Sequence, residues 1–359
     1  MDRERRYVRS VVGAVVATAA YTAWLAVGVG GDTGVLYVSD LGSLLSAFAA
    51  TVLCVRAGTG QAGRLRRFWW LLGAACGAWA VGEATWSVYD LVLRKEVPVP
   101  SFADVGYLAG IPLAVAALLA HPAMRSSGTR SARALVDGLA VATAVLFLSW
   151  TFVLGPLWES SDLTTAGGLV GLAYPFGDVV IVFFILLVVR RMTSDGRRAL
   201  WWLLGGLLAT ALADSVYAYV TEVSGYVGGT LLDTGWVAGY LAIAVGAVCS
   251  DSRGRVSSRA RSCAGLASIL AGFLPPLAGL TVVGIQLQLG QRPDRIAVIM
   301  ACVLVVVALV RQALLALELM GSREREGSPI TRLYATLIGG TLEDRAEPGP
   351  PLSPDGSRL

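Results

Sequence analysis

The sequence predicts an all-α, polytopic integral membrane protein of about ten transmembrane helices. Three observations lead there. Of the 359 residues, 55% are hydrophobic and only 15% charged, where a soluble domain carries about 25% charged residues. Mean hydropathy is +0.66. Arginines recur at every second gap between the apolar stretches. Those stretches must be helical, because hydrocarbon offers the backbone no hydrogen-bond partner.

With ~20 apolar residues to a crossing, ten segments follow in order: about 11–30, 35–56, 68–93, 103–121, 134–157, 166–189, 199–221, 231–250, 264–288 and 295–319. Basic residues in short loops stay cytoplasmic. Arg3, Arg5, Arg6 and Arg9 precede segment 1; Arg64, Arg66 and Arg67 follow segment 2; Arg125, Arg130 and Arg133 follow segment 4. Arg190, Arg191, Arg197 and Arg198 follow segment 6, and Arg253, Arg255, Arg259 and Arg261 follow segment 8. Both termini are therefore expected on the cytoplasmic side of a cell membrane. The opposite loops are short and arginine-poor, as in Glu159-Ser160-Ser161-Asp162, with Arg94, Lys95, Arg292 and Arg295 as exceptions. The net charge of +4 is then a record of topology, lipids are the surrounding partner, and nucleic acid is not one. Segment 1 lacks a small-residue cleavage site, and its removal would spoil the arginine alternation, so it reads as a retained span rather than a secretory signal. Residues 1–319 form the membrane domain; 320–359, Pro/Gly-rich and polar at the end, read as a disordered cytoplasmic tail.

Cys54, Cys76, Cys249, Cys263 and Cys302 are scattered without a C-x-x-C pair and read as small buried hydrophobes. His121 is the only histidine. No metal site and no cofactor are expected.

An internal repeat organises the chain, with copies at about 35–110 and 172–239. Tyr37 and Asp40 correspond to Tyr174 and Asp178; Phe68-Trp69-Trp70-Leu71-Leu72-Gly73 to Leu200-Trp201-Trp202-Leu203-Leu204-Gly205; Glu83-x-x-Trp86 to Asp214-x-x-Tyr217; and Asp104-Val105-Gly106-Tyr107-Leu108-Ala109-Gly110 to Asp233-Thr234-Gly235-Trp236-Val237-Ala238-Gly239. The copies begin four segments apart, so segments 2–4 and 6–8 are parallel and related by an axis along the membrane normal. The spacing from the W-W-L-L-G block to the acid differs by one residue, about 100° of helix rotation.

Seven carboxylates fall in apolar stretches: Asp40, Glu83, Asp90, Asp104, Asp178, Asp214 and Asp233. An acid at the centre of a membrane helix costs roughly 2.5–3.5 kcal/mol on insertion scales, so each needs a partner, a cavity or a function. Asp104 and Asp233 begin segments and suit N-caps; Asp40 and Asp90 lie near an interface; Asp137, near the start of segment 5, suits a cap or the helix dipole. For Glu83, Asp178 and Asp214 capping fails, leaving an interhelical hydrogen bond or a chemical role. Aromatics accompany them. Glu83, Trp86 and either Tyr89 or Asp90 share a helix face, the repeat pairs Asp214 with Tyr217, and Tyr107, Tyr174, Phe176, Trp236 and Tyr240 come from neighbouring segments. The competing reading is an interfacial aromatic belt.

The stretch Gly82 to Tyr89, Val97-Pro98-Val99-Pro100-Ser101-Phe102-Ala103-Asp104-Val105-Gly106-Tyr107-Leu108, Tyr174-Pro175-Phe176-Gly177-Asp178 and Leu232-Asp233-Thr234-Gly235-Trp236 resembles the multi-helix membrane region that precedes GGDEF and EAL domains in many actinobacterial proteins. The likeness covers about residues 35–319. It implies a sensor whose cytoplasmic domain makes or degrades cyclic di-GMP, but no G-G-D-E-F or E-A-L motif follows, so such a sensor needs a separate signalling partner. In general organisation the chain is also similar to the membrane-integral terpene cyclases of indole-sesquiterpenoid pathways. That likeness implies protonation-initiated cyclisation of a lipophilic prenylated small molecule. Glu83, Asp178 and Asp214 would supply the acid and its carboxylate partner, while Trp86, Tyr89, Asp104, Tyr107, Tyr174, Tyr217, Asp233 and Trp236 would line the substrate site. The chemistry needs a carboxyl that keeps its proton in a dry cavity and π faces for carbocations. Diphosphate ionisation is disfavoured, since no D-D-x-x-D cluster occurs and the arginines lie across the membrane from the acids. A transporter is the third reading, without the paired broken helices of inverted repeats.

Overall fold

The computed structural model describes residues 2–125, 129–151, 166–191, 197–223, 225–250 and 294–325, with scattered positions at 155–158 and 277–288. Every regular element among them is helical: α1 (Asp2–Val27), α2 (Gly31–Thr59), α3 (Gly63–Ser87), α4 (Phe102–Ala120), α5 (Thr129–Ser149), α6 (Ala166–Arg191), α7 (Arg197–Val223), α8 (Thr234–Ser250) and α9 (Arg295–Arg325). A π-helical turn, Val88–Val92, prolongs α3, and a 3-10 turn, Leu231–Asp233, leads into α8. The chain divides into two compact units, Met1–Leu309 and Val310–Leu359, the second described only as the last part of α9.

Seven of these helices are long and apolar enough to cross a membrane, the signature of a multi-pass membrane protein. They match sequence segments 1, 2, 4, 6, 7, 8 and 10. Segment 3 is the helix α3, but its tryptophans, glycines and Glu83 replace aliphatic residues, and it spends its length between α2 and α4 instead. Segment 5 holds a shorter apolar run, Gly138–Ser149. Segment 9 apart from scattered positions at 277–288, the loop of Arg253 to Arg261, Glu159 to Asp162, Arg292, Cys263 and the tail beyond Arg325 lie outside the described residues.

Six helices close a ring, in the order α2, α3, α4, α6, α7, α8 and back to α2. Outside it α1 packs on α8 and α2, and α5 packs on α6. Outward faces carry Leu45, Phe48, Val81 and Leu212, all exposed, as expected of helices solvated by lipid rather than water. Phe176 is also exposed and turns away from the ring's interior. At the arginine-bearing end the ring is solid: Phe68, Trp69, Leu72, Leu118, Ile185, Leu203 and Ile243 are fully buried in one cluster.

Small residues set the helix spacing, as is usual where packing rather than the hydrophobic effect drives association. A Cβ on Gly106 would sit 2.6 Å from the Gly82 nitrogen and 2.7 Å from the Ala78 carbonyl oxygen, so α4 rides directly on the α3 backbone. Gly235 repeats the contact on α7, where a Cβ would come within 2.8 Å of the Ala213 Cβ. A salt bridge of 3.5 Å from Arg198 to Glu4 joins exposed side chains of α7 and α1, and the Arg198 guanidinium lies 4.8 Å from the Tyr7 ring centroid.

α5 runs from Thr129, which places Asp137 two turns inside the helix. His121 ends α4. It is buried, meets Phe68 edge-on at 4.9 Å, and accepts the Ala123 N–H at Nδ1 over 3.2 Å. Burial, then the nearby Arg64 charge, push its imidazole down to about 4. Cys54, Cys76 and Cys249 are buried free thiols and Cys302 an exposed one.

Two outcomes follow. Gly106→Ala forces backbone apart and should cost about 1–3 kcal/mol, whereas Gly205→Ala, with open space around its Cβ, should be neutral or gain a fraction of a kcal/mol in helix propensity; thermal unfolding in detergent compares them. Because the folded His121 pKa lies below the ordinary 6.5, protons bind the unfolded chain first. Stability should therefore be complete above pH 6.5 and fall as pH drops towards 4, by roughly 3 kcal/mol at most. His121→Asn, which keeps an acceptor for Ala123, should flatten that profile.

Candidate functional site

Away from the arginine-bearing end the ring holds a cavity of about 390 Å³, lined from all six helices and by the segment before α4. Its lining brings together the three acids expected to carry chemistry, Glu83, Asp178 and Asp214, and seven of the eight expected to surround them: Trp86, Asp104, Tyr107, Tyr174, Tyr217, Asp233 and Trp236. Tyr89 is not among the lining residues. It lies with Asp90 in the π turn after α3, where the change of helical pitch ends the face shared by Glu83 and Trp86.

The acids differ in what holds them. Asp214, on α7, accepts the Trp236 indole N–H at Oδ1 over 2.7 Å. Its other neighbour is Asp178 of α6, whose carboxyl is within hydrogen-bonding reach; two carboxyls so placed bond only if they share a proton. Asp178 Oδ2 is buried with no protein partner. Glu83, on α3, accepts the Tyr240 hydroxyl at Oε1 over 3.2 Å, with the Tyr107 hydroxyl also in reach. Each acid near the far end of α3 or α7 thus receives an aromatic donor from the helix that follows it.

Asp104 and Asp233 are occupied differently. Asp104 closes a capping box at the start of α4: its Oδ2 accepts the Ser101 N–H at 2.5 Å while Ser101 Oγ accepts the Ala103 N–H at 3.2 Å. Oδ1 accepts the Tyr174 hydroxyl from α6. Asp233 accepts Ser39 Oγ from α2 at 2.5 Å, the Gly229 N–H at 2.8 Å and the Tyr226 hydroxyl at 2.6 Å. Both carboxylates are consumed in clamping neighbouring helices of the ring, α4 to α6 and the start of α8 to α2.

Aromatic faces make much of the wall. Trp86, Tyr217, Tyr226 and Trp236 form an edge-to-face cluster, the Tyr217–Tyr226 centroids 4.8 Å apart and Trp86–Tyr217 6.3 Å. Sequence reading missed Trp79, Tyr226, Ser39 and Ser43 in this wall. Nothing local marks them, because only the closure of α8 on α2 brings Ser39 and Tyr226 to one carboxylate. Asp40 is the other lining acid. It is 5% exposed, and its Oδ2 too is buried without a protein partner. Among the described residues no group of three or more His, Cys, Asp or Glu side chains is arranged to hold a metal ion.

Fold and site together define a multi-pass membrane protein with an acidic, aromatic-walled cavity inside a six-helix ring. No protein-family model matches the chain, and no curated protein or solved structure matches it either.

Trp236→Phe keeps the ring and removes the donor to Asp214. It should cost about 1–3 kcal/mol, and in a double-mutant cycle with Asp214→Asn the two losses should fall well short of additive, read from unfolding midpoints.

Proposed function

We propose that the chain is a membrane-embedded terpene cyclase that isomerises a neutral prenylated substrate, such as a prenylated indole, by protonating an alkene. The observation that carries this reading is the meeting of the Asp178–Asp214 pair and Glu83 with the Trp86, Tyr217 and Trp236 faces around one cavity of about 390 Å³. That volume lies at the lower end of small-molecule pockets, roughly 300–1,000 Å³.

In the proposed reaction a carboxyl O–H of the Asp178–Asp214 pair breaks as the alkene π pair forms a C–H bond, leaving a tertiary carbocation. Successive alkenes of the chain close rings onto it. The aromatic faces hold the migrating charge, each worth ~2 kcal/mol or more when dry. A carboxylate then takes a proton from the final cation, and the product is an isomer of the substrate with no cofactor consumed. Glu83, with its phenolic donors, is suited to be that carboxylate.

The duplication belongs to this proposal. Along α3 and α7 burial agrees at an offset of 131: Trp69 and Leu200 are buried, Trp70 and Trp201 exposed, Leu72 and Leu203 buried. That register lies one residue from the W-W-L-L-G alignment and superposes Glu83 on Asp214 and Trp86 on Tyr217. Tyr107 and Trp236 then serve equivalent acids, and Asp40 and Asp178 are the two carboxyls with an unpartnered Oδ2. We also propose ten crossings with both termini cytoplasmic in a cell membrane, supported by the arginines that start α3 and α7. Under that orientation the cavity opens towards the outer leaflet. This favours, as second reading, a sensor of an external ligand acting through a separate signalling partner.

Expression in a host supplied with farnesylindole and related prenylated aromatics tests the first reading. A new product of unchanged mass and altered retention is expected, and Glu83→Gln, Asp178→Asn or Asp214→Asn should each lower its yield at least ~100-fold while the protein still folds. Unchanged substrate across the series, with folded protein in the membrane, would sink the cyclase and leave the sensor.

A further inference from the structure

Charge in this cavity is one-sided. Among the described lining residues there are six carboxyl side chains, Asp40, Glu83, Asp104, Asp178, Asp214 and Asp233, and no arginine, lysine or histidine. Protein donors account for Asp104 and Asp233, whose bonds clamp the helix ends. The indole of Trp236 serves Asp214, and phenols serve Glu83. Among the described residues two fully buried carboxyl oxygens have no protein donor, Asp40 Oδ2 and Asp178 Oδ2, the second on the carboxyl that meets Asp214. They come from α2 and α6, which hold corresponding places in the two halves of the ring, and both residues line the cavity.

A buried carboxyl oxygen without a donor is costly, so a ligand that completes the site must bring a donor or a positive charge. An anion is repelled by every acid in the wall. A neutral hydrocarbon leaves both oxygens as they are. A positive charge within an apolar body satisfies them and also meets aromatic faces, which attract cations through the ring quadrupole. The proposed carbocation is one such species, short-lived and made in place; a stable ammonium of the same shape is another.

We propose that this cavity is a receptor for lipophilic organic cations, with Asp40 and Asp178 as its two carboxylate seats and the faces of Trp86, Tyr217 and Trp236 around the alkylated centre. The ligand class is an ammonium or sulfonium head carrying a hydrocarbon tail of prenyl size, set by the cavity of about 390 Å³. Asp40 thereby becomes part of the binding site. The inference uses the cavity assigned above to cyclisation but does not require turnover.

The probe is farnesyltrimethylammonium. Its comparator is the uncharged compound with a tert-butyl group in place of the trimethylammonium, equal in shape. Binding to the full chain in detergent is followed by quenching of tryptophan fluorescence, with Trp79, Trp86 and Trp236 in the wall, and by thermal shift. The cation should bind at least tenfold tighter than its isostere. Asp40→Asn and Asp178→Asn should each cut that preference several-fold, and the double variant should abolish it; Gly205→Ala, outside the cavity, should retain it. Equal binding of the two probes by the wild type overturns the proposal, as does a preference that survives in the double variant. Should the double variant fail to fold, the wild-type comparison decides alone. Cation preference without turnover would remove the cyclase and keep the receptor, and turnover without cation preference would do the reverse.

Discussion

A carboxylate in the interior of a membrane protein is tolerated only when something donates to it, and that constraint organises the ring. Tyr240 donates to Glu83, Trp236 to Asp214, Tyr174 to Asp104, and Ser39 and Tyr226 to Asp233. Each bond runs between helices or between a helix and its preceding loop. Two of them, Tyr174 to Asp104 and Ser39 to Asp233, span the seams α4–α6 and α8–α2. Apolar packing alone would leave those seams free to slide, since lipid competes with any aliphatic contact. A buried acid that reaches a single donor fixes the register, so the polar groups supply specificity while the glycines set the distance.

The two ends of the ring solve opposite packing problems with one set of helices. At the arginine-bearing end, residues such as Phe68, Trp69 and Ile185 fill the centre completely. At the other end the inward positions carry acids and aromatics whose shapes do not interdigitate, and the volume left over is the cavity. An aromatic ring is stiff and its polar tip must point at an acceptor. Once Trp236 and Tyr240 are tied to Asp214 and Glu83 they cannot collapse into the space between them, so the bonds that hold the acids also hold the cavity open.

Much of this was readable from the residues. Hydropathy and arginine spacing placed α2, α4 and α6–α8 closely, because lipid solvation acts on each helix separately, while α1 begins nine residues before its apolar run. The acids that gather in the cavity could be named for the same reason, since a carboxylate is anomalous wherever it falls in an apolar run. What was not readable depends on contacts far apart in sequence. Tyr89 fails to join the face of Glu83 and Trp86 because α3 changes pitch at Val88, a backbone adjustment with no sidechain signature. Phe176, between the cavity residues Tyr174 and Asp178 in sequence, faces outward. Ser39, Ser43 and Tyr226 are ordinary residues until α8 closes on α2.

Under the proposed duplication, the differences between the two halves are informative. If both descended from one unit, both would have begun with the same acid and the same donor. In one half the α3 acid is a glutamate held by two phenols; in the other the α7 acid is an aspartate held by an indole N–H and paired with a second carboxyl. The longer glutamate reaches across the ring to Tyr240, whereas the shorter aspartate meets Asp178 beside it. A symmetric binding shell gains nothing from that divergence. The proposed cyclisation, which releases a proton at one end of a bound molecule and accepts one at the other, has a use for it, because a single pair of identical carboxyls would favour neither direction.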